Sequence, residues 1–584
     1  VTGVQTCALP ICIAFPGRDR YFPLSAPVAP VVRRRGDVLI PGPIHNRLRI
    51  AWFPVALALA GMLLVFAPAL GSGFRLIPEY SIDPRFNHYL LEHAFRWLRG
   101  DALHASVWSP PFFHPAREVL GYSDAMLGLA WLYAPWRAAG VSPYAAYTLW
   151  LLVLAALNFG AFYAAVRDWL GVGRVAASVA AGVFAFGLPR SAQLAHPQLW
   201  SQAFVLLLVH GLVLAGRAAR SPEPDRRLAG WGWSCVVIGA AGQFYTAFYP
   251  LWFTGFGLVL AALVATGFRE GRARLGRMVR QPAAWVAALV LFAACWPLLR
   301  IYLDALAMAG PRSVIEVRDL LPEGRSWWYV GERQLLYGWV FERWPSLAPG
   351  TTRHEQVLSL GWVTSIAAAA GLVGLARRAW WGRVVALSLL ALVAMTLRYG
   401  HAGSPWFVLD DVVPGASAIR AVARVGMTAM IPLCLGLAWA VERSAVRGRR
   451  VMLLVAVVLA EQISPVIAVD VQPLRDQTEA MADALDAAAG PVYVTVPVGD
   501  TYDRGEEYEF HIDAMWIGLE AGVPVVNGYS GLIPANWMIL YFNTFSDDAE
   551  AVKLGERLAG WADRFDVEPP LIQSFPLAPT EEHP

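Results

Sequence analysis

The chain has 584 residues, 57% hydrophobic and 16% charged, with a mean hydropathy of +0.46. That is too apolar for a soluble protein of this length and reads as a polytopic membrane protein. The net charge is only +3 and Lys553 is the sole lysine; no loop combines a dense basic stripe with stacking aromatics, which excludes a nucleic-acid binder.

The first eleven residues, "VTGVQTCALPI", resemble a translated sequencing-library adapter, and residues 1–46 are set aside as an artefactual or disordered N-terminus. Cys7 and Cys12 lie in this region, whereas Cys235, Cys295 and Cys434 fall inside apolar segments. No disulfide framework or CxxC metal site is visible.

Segments of about 20 mainly apolar residues, the length needed to cross a bilayer, recur between residues 51 and 470. They predict eleven spans, near 51–70, 143–166, 173–189, 198–216, 230–248, 250–267, 284–303, 357–376, 384–399, 425–441 and 451–469. Arginines should collect on the cytoplasmic side of such spans. With the N-terminus inside, "RDWLGVGR", "RAARSPEPDRR", "REGRARLGRMVR", "RRAWWGR" and "RSAVRGRR" all fall there. The apolar stretch Ala125 to Gly140 is short and broken by Pro135. It is expected to lie in the outer interface, with Trp131, Tyr133 and Trp136 at headgroup level.

The resulting layout is a membrane unit over 47–470, with an outer loop at 71–142, followed by an extracytoplasmic unit over 471–584. That last unit pairs a helical stretch, "TEAMADALDAAAG", with a strand, "PVYVTVPV", and is expected to be a small α/β domain.

Polar residues are costly in a bilayer, so chemistry is expected in the outer loops. The first is the densest, with Glu79, Asp83, His88, His93, His114 and Asp124. Asp83 precedes Pro84 in "YSIDPRFNHYLLEHAFRWLRGD", a favoured helix start, so Asp83 is expected to cap that helix. Arg420 and Arg424 in "PGASAIRAVARVG" are expected one helical turn apart, where two guanidiniums could clamp a phosphate. Glu461 stands inside the last apolar segment, which makes it a functional candidate. Tyr529 and Trp537, in the turn-rich "VVNGYSGLIPANW", are candidates for lining a groove above the membrane.

The early acidic residue, the amphipathic helix ending in "LRGD", the interfacial helix and then "GVSPYAAYTLWLLVLAALNFGAFYAAVRDWLGVGRVAASVAAGVFAFGLPR" together resemble the GT-C superfamily. These are polytopic glycosyltransferases that use polyprenyl-phosphate sugars, and the resemblance covers roughly residues 50 to 215. It implies an all-α polytopic membrane protein of about 11 transmembrane helices, GT-C-like, with the small α/β unit outside.

In function, the resemblance implies transfer of a sugar from a lipid-linked donor to an envelope, glycolipid or protein acceptor at the outer face of a bacterial inner membrane. It implies Asp83 as the base toward the acceptor. Glu79, His88, His114, Asp124, His196, Arg420, Arg424 and Tyr529 are the candidate substrate-binding residues. Membrane lipids and the lipid-linked donor are the expected partners; no cofactor is required outright, and a divalent metal is left open. The chain departs from the family where an acidic pair is common, having Asp83 alone with Glu79 four residues earlier. It departs again in "LAHPQLW", where His196 stands in place of an acid. The competing reading is a non-catalytic polytopic protein, either a transporter or an accessory factor in envelope polysaccharide assembly.

Overall fold

The structure is a computed structural model that describes residues 44–309, 312–350, 352–400, 403–444, 449–485, 490–495, 509–541, 548–567 and 569–574. The N-terminal segment set aside above therefore lies, up to residue 43, outside the described residues.

A helix lies on each of the eleven apolar segments. The first is α1 (Ile44–Gly71), which leads through strand β1 (Leu76–Pro78) into the amphipathic α2 (Ile82–Leu98) and then α3 (Leu127–Ala138). Next come α4 (Pro143–Leu170) and α5 (Arg174–Phe186), followed by the single turns α6 (Leu188–Ser191) and α7 (Pro197–Trp200). The bundle continues with α8 (Ala203–Ala218), α9 (Arg226–Phe244), α10 (Phe248–Thr266), the basic α11 (Arg269–Val279) and α12 (Pro282–Ala309). Short helices α13 (Val314–Asp319) and α14 (Gly338–Arg343) precede α15 (Trp362–Arg378) and α16 (Trp380–Thr396). The short α17 (Trp406–Val412) then leads to α18 (Val425–Ser444) and α19 (Arg449–Ala460).

Among the described residues, six helices are long and apolar enough to cross a membrane: Trp52–Gly71, Pro143–Leu170, Pro197–Ala218, Phe248–Thr266, Pro282–Met308 and Val422–Ser444. Trp380–Thr396 and Val451–Ala460 are apolar but shorter. The protein is thus an integral membrane protein by helix length and composition, with fewer full-length spans than the eleven expected.

Local chemistry sets the helix ends. α4 starts at Ser142, whose hydroxyl accepts from the Ala145 N–H, with Pro143 in the first turn; it stops at Gly171, which has a φ of 68°. α15 and α18 cross so closely that a Cβ on Gly371 would run into the Gly436 backbone, the small-residue contact expected where packing and not water holds helices together. Trp285, Leu289 and Phe292 of α12 stay exposed, as lipid-facing residues do.

Two expectations are corrected here. Tyr133 does not face the membrane surface as an exposed ring would: it is buried, and its hydroxyl donates to Glu92 at 2.7 Å, while Trp131 on the same helix is exposed. Glu461 is not mid-span, because α19 ends at Ala460. Its buried carboxylate accepts from the Val363 and Thr364 N–H groups at 2.7 and 2.8 Å and from the Thr364 hydroxyl at 2.6 Å. It therefore caps α15, whose free N–H groups and positive dipole end favour an anion. Gly361, with a φ of 98°, leaves room for that carboxylate.

The C-terminal stretch begins with β2 (Ala468–Asp470), which pairs antiparallel with β1. It continues through α20 (Gln472–Asp483), β3 (Val492–Thr495), α21 (Glu509–Ala521), α22 (Met538–Tyr541), α23 (Asp548–Phe565) and β4 (Leu571–Ser574), with β3 and β4 parallel. It packs directly on the first long loop. The Val525 N–H donates to Pro111 O at 3.0 Å and the Phe113 N–H to Asn527 O at 2.9 Å. Arg85 of α2 pairs with Asp513 of α21.

Candidate active site

Asp83 is the second residue of α2, not its cap: Ser81 holds the N-cap position, and Pro84 falls in the first turn, where its missing N–H costs nothing. The carboxylate points away from the helix backbone. Its Oδ1 accepts from the Tyr529 hydroxyl at 2.6 Å, and its Oδ2 lies 3.6 Å from His196 Nδ1. The side chain is 27% exposed. Asn87, one turn on, binds the Asp83 carbonyl and the Gln198 side-chain oxygen, both at 2.8 Å, and so fixes α2 against α7.

His196 immediately precedes Pro197 at the start of α7. Its Nε2 is 2.9 Å from Glu355 Oε1, and burial lowers its pKa to about 4, so the ring is neutral. Glu355 lies in the 3₁₀ turn Arg353–Gln356. Arg424 grips it through Nη2 at 2.7 Å and Nε at 3.1 Å, and Gln193 donates to its other oxygen at 3.0 Å. Burial pushes this carboxyl up, but Arg424 and His196 beside it, with the bonds from Arg424 and Gln193, outweigh burial and hold it well below the usual range. Four side chains from distant parts of the sequence thus form one line: Asp83, His196, Glu355, Arg424.

The expected arginine pair is corrected. Residues 422–424 form a 3₁₀ turn and α18 begins only at Val425, so Arg420 and Arg424 are not one α-helical turn apart. Arg424 turns inward to Glu355 and lies over the Tyr249 ring at 5.1 Å. Arg420 stays half-exposed, pairs with Glu316 at 3.0 Å, and donates its backbone N–H to the Tyr249 hydroxyl at 2.8 Å. Arg312 shares the electrostatic surroundings of Arg420, Glu316 and Tyr249 and donates to Gly531 O at 2.8 Å, two residues from Tyr529.

Asp124 accepts from the Phe248 N–H at 2.8 Å and so anchors the start of α10. Burial raises its pKa to about 6, against the pull of the Phe248 N–H and Arg424. The remaining candidates fall elsewhere. His88 is buried in an aromatic box with Tyr80 and Tyr133 on its two ring nitrogens, at 2.7 and 3.2 Å; burial lowers its pKa to about 3. It is a core residue and not a substrate ligand, because no face of it is left to reach one. Glu79 accepts from Arg333 at 3.0 Å and from the Ile467 N–H at 3.2 Å, tying two loops together. His114 donates its backbone N–H to Val525 O at 3.0 Å and takes no part in the line from Asp83.

Glu355 does not fit a divalent metal, because both its oxygens are engaged by Arg424 and its neighbours. Among the described residues no group of three or more His, Cys, Asp or Glu is placed to hold an ion. Glu355 and Arg312 are not singled out from the sequence. Glu355 offered one weak signal, a carboxylate directly before an apolar segment.

The arrangement presents a part-exposed carboxylate beside a neutral imidazole, with half-exposed cationic charge at Arg420, which shares Tyr249 with Arg424. It can take a proton from a hydroxyl and steady an anion.

No protein-family model matches the chain, and no curated protein matches it. Among solved structures, it is similar to the arabinofuranosyltransferase AftD from Mycobacteria, at 18% identity and a TM-score of 0.43 over 82% of this chain and 32% of that one. The chain therefore spans about a third of that protein's length. It is also similar to ArnT from Cupriavidus metallidurans, at 13% identity and a TM-score of 0.36 over 82% of this chain and 86% of that one.

Proposed function

We propose that this protein is a GT-C-type membrane glycosyltransferase that moves a sugar from a polyprenyl-phosphate donor to an acceptor hydroxyl at the outer face of a bacterial inner membrane. The observation that carries the reading is the Asp83 carboxylate, part-exposed and held at Oδ1 by Tyr529, with Oδ2 turned to His196. The sequence resemblance over the first third of the chain supports it independently. In the proposed topology the N-terminus lies inside, and the unit from 471 onward covers the site from outside.

In this mechanism the acceptor oxygen attacks the anomeric carbon while Asp83 takes its proton. The carbon–oxygen bond to the lipid phosphate breaks, and its electron pair leaves on the phosphate. Arg420, half-exposed and paired with Glu316, meets the phosphate; Arg424 does not, being buried on Glu355. Asp124 anchors α10 and holds the arginine side of the site in place.

Purified full-length protein in liposomes, given a panel of radiolabelled polyprenyl-phosphate pentoses and hexoses with membrane extract as acceptor, should transfer label from at least one donor. Absence of transfer from every donor of this class, by protein that remains folded, would overturn the reading.

A further inference from the structure

The geometry points to His196 Nδ1 as a second binding atom for the acceptor hydroxyl, which would rest against both Asp83 Oδ2 and His196 Nδ1, with Glu355 and Arg424 as positioning residues that set the imidazole tautomer. The inference rests on the transferase reading and adds to it the place and orientation of the attacking group.

Three observations support it. First, Asp83 has one oxygen already committed: Oδ1 holds the Tyr529 hydroxyl at 2.6 Å, so a new donor is received at Oδ2. Second, Oδ2 faces Nδ1 at 3.6 Å, too far for a hydrogen bond, and Nδ1 is a buried atom with no hydrogen-bond partner among the described residues. Leaving such an atom unpaired costs about 1–3 kcal/mol, which a hydroxyl bound there would relieve.

Third, the other ring nitrogen is fixed. Nε2 lies 2.9 Å from Glu355 Oε1, and Arg424 grips that same carboxylate at two points. An ionised Glu355 can only accept, so Nε2 carries the ring proton and Nδ1 presents a lone pair toward Asp83. Two acceptors then face one another, and an O–H placed against both supplies the proton that neither has.

The proton balance is simple. As the acceptor oxygen bonds to the anomeric carbon and the phosphate leaves with the electron pair, the hydroxyl proton passes to Asp83 Oδ2. The resulting Asp83 carboxyl then holds the proton away from the new glycosidic oxygen. Glu355 acts only through His196, by holding the tautomer.

The test uses the full chain. His196→Gln keeps an N–H donor for Glu355 and removes the Nδ1 acceptor, so the Glu355–Arg424 pair is not stranded. It should lower kcat by about 10²-fold and leave KM for the lipid donor unchanged; wild-type kcat would overturn the inference.

A second readout does not depend on turnover. In nitrogen-15 spectra of histidine-labelled protein in detergent, the ring signal that disappears in His196→Gln belongs to His196. It should report a neutral ring protonated at Nε2 in the wild type, and should lose that form in Glu355→Gln. A proton on Nδ1 in the wild type overturns the positioning role. If wild-type protein transfers no sugar, the transferase reading fails, and the tautomer alone then decides whether Glu355 orients His196.

Discussion

Glu355 and Arg424, 69 residues apart, meet as a buried ion pair in which the guanidinium approaches the carboxylate from Nη2 at 2.7 Å and Nε at 3.1 Å. Both side chains are under a tenth exposed. Removing one partner strands the other charge away from water. Glu355→Leu or Arg424→Met alone should each cost about 3–5 kcal/mol, and the double variant should cost less than either. Thermal unfolding in detergent measures the cycle; additive losses would show that the two residues do not act as a pair.

Arg420 should behave differently although it is only four residues away. Its pairing with Glu316 is half-exposed, so Arg420→Ala should change stability by less than about 1 kcal/mol. Loss of a charged contact to the donor phosphate should raise KM for the lipid donor by roughly 10- to 100-fold, with little change in kcat. Steady-state kinetics over a donor series checks this.

Asp124 carries a pH signature. Its pKa rises from an ordinary 3.8 to about 6 on folding. A raised carboxyl contributes stability below the unfolded value and loses it as pH climbs through the folded one. Asp124→Asn still offers an oxygen to the Phe248 N–H, so it should stabilise the protein at pH 7–8 by on the order of 1–3 kcal/mol. Near pH 3.5 the difference should vanish, which unfolding curves across the range would reveal.

Glu461→Ala should lose about 2 kcal/mol by removing the cap of α15, and the folded fraction should transfer sugar at the wild-type rate. Reduced kcat in folded protein would assign Glu461 more than a structural role.

The contrast between Glu461 and Asp83 explains what could be read from the sequence. Apolar runs recur along the chain because burial in lipid or core demands them, so each of the eleven segments announces its helix. Asp83 stands out because it opens a charged stretch directly after a long apolar run. Its cap role failed because Ser81 and Ile82 start the helix two residues earlier. Glu461 looked functional because its partners, the Val363 and Thr364 N–H groups, lie nearly a hundred residues away. Glu355 stayed hidden for the same reason: nothing local marks the turn Arg353–Gln356 as the place where His196 and Arg424 converge. His88 and Tyr133 carry polar atoms that suggest exposure, and only the fold shows that each satisfies a buried neighbour.

The most direct measurement is transfer of labelled sugar from a polyprenyl-phosphate donor by wild-type and Asp83→Asn protein, with unfolding curves confirming that both are folded. Asp83→Asn should lose at least about 10²-fold in kcat while still binding the donor. Transfer at the wild-type rate by folded Asp83→Asn would contradict the assignment of Asp83 as the base.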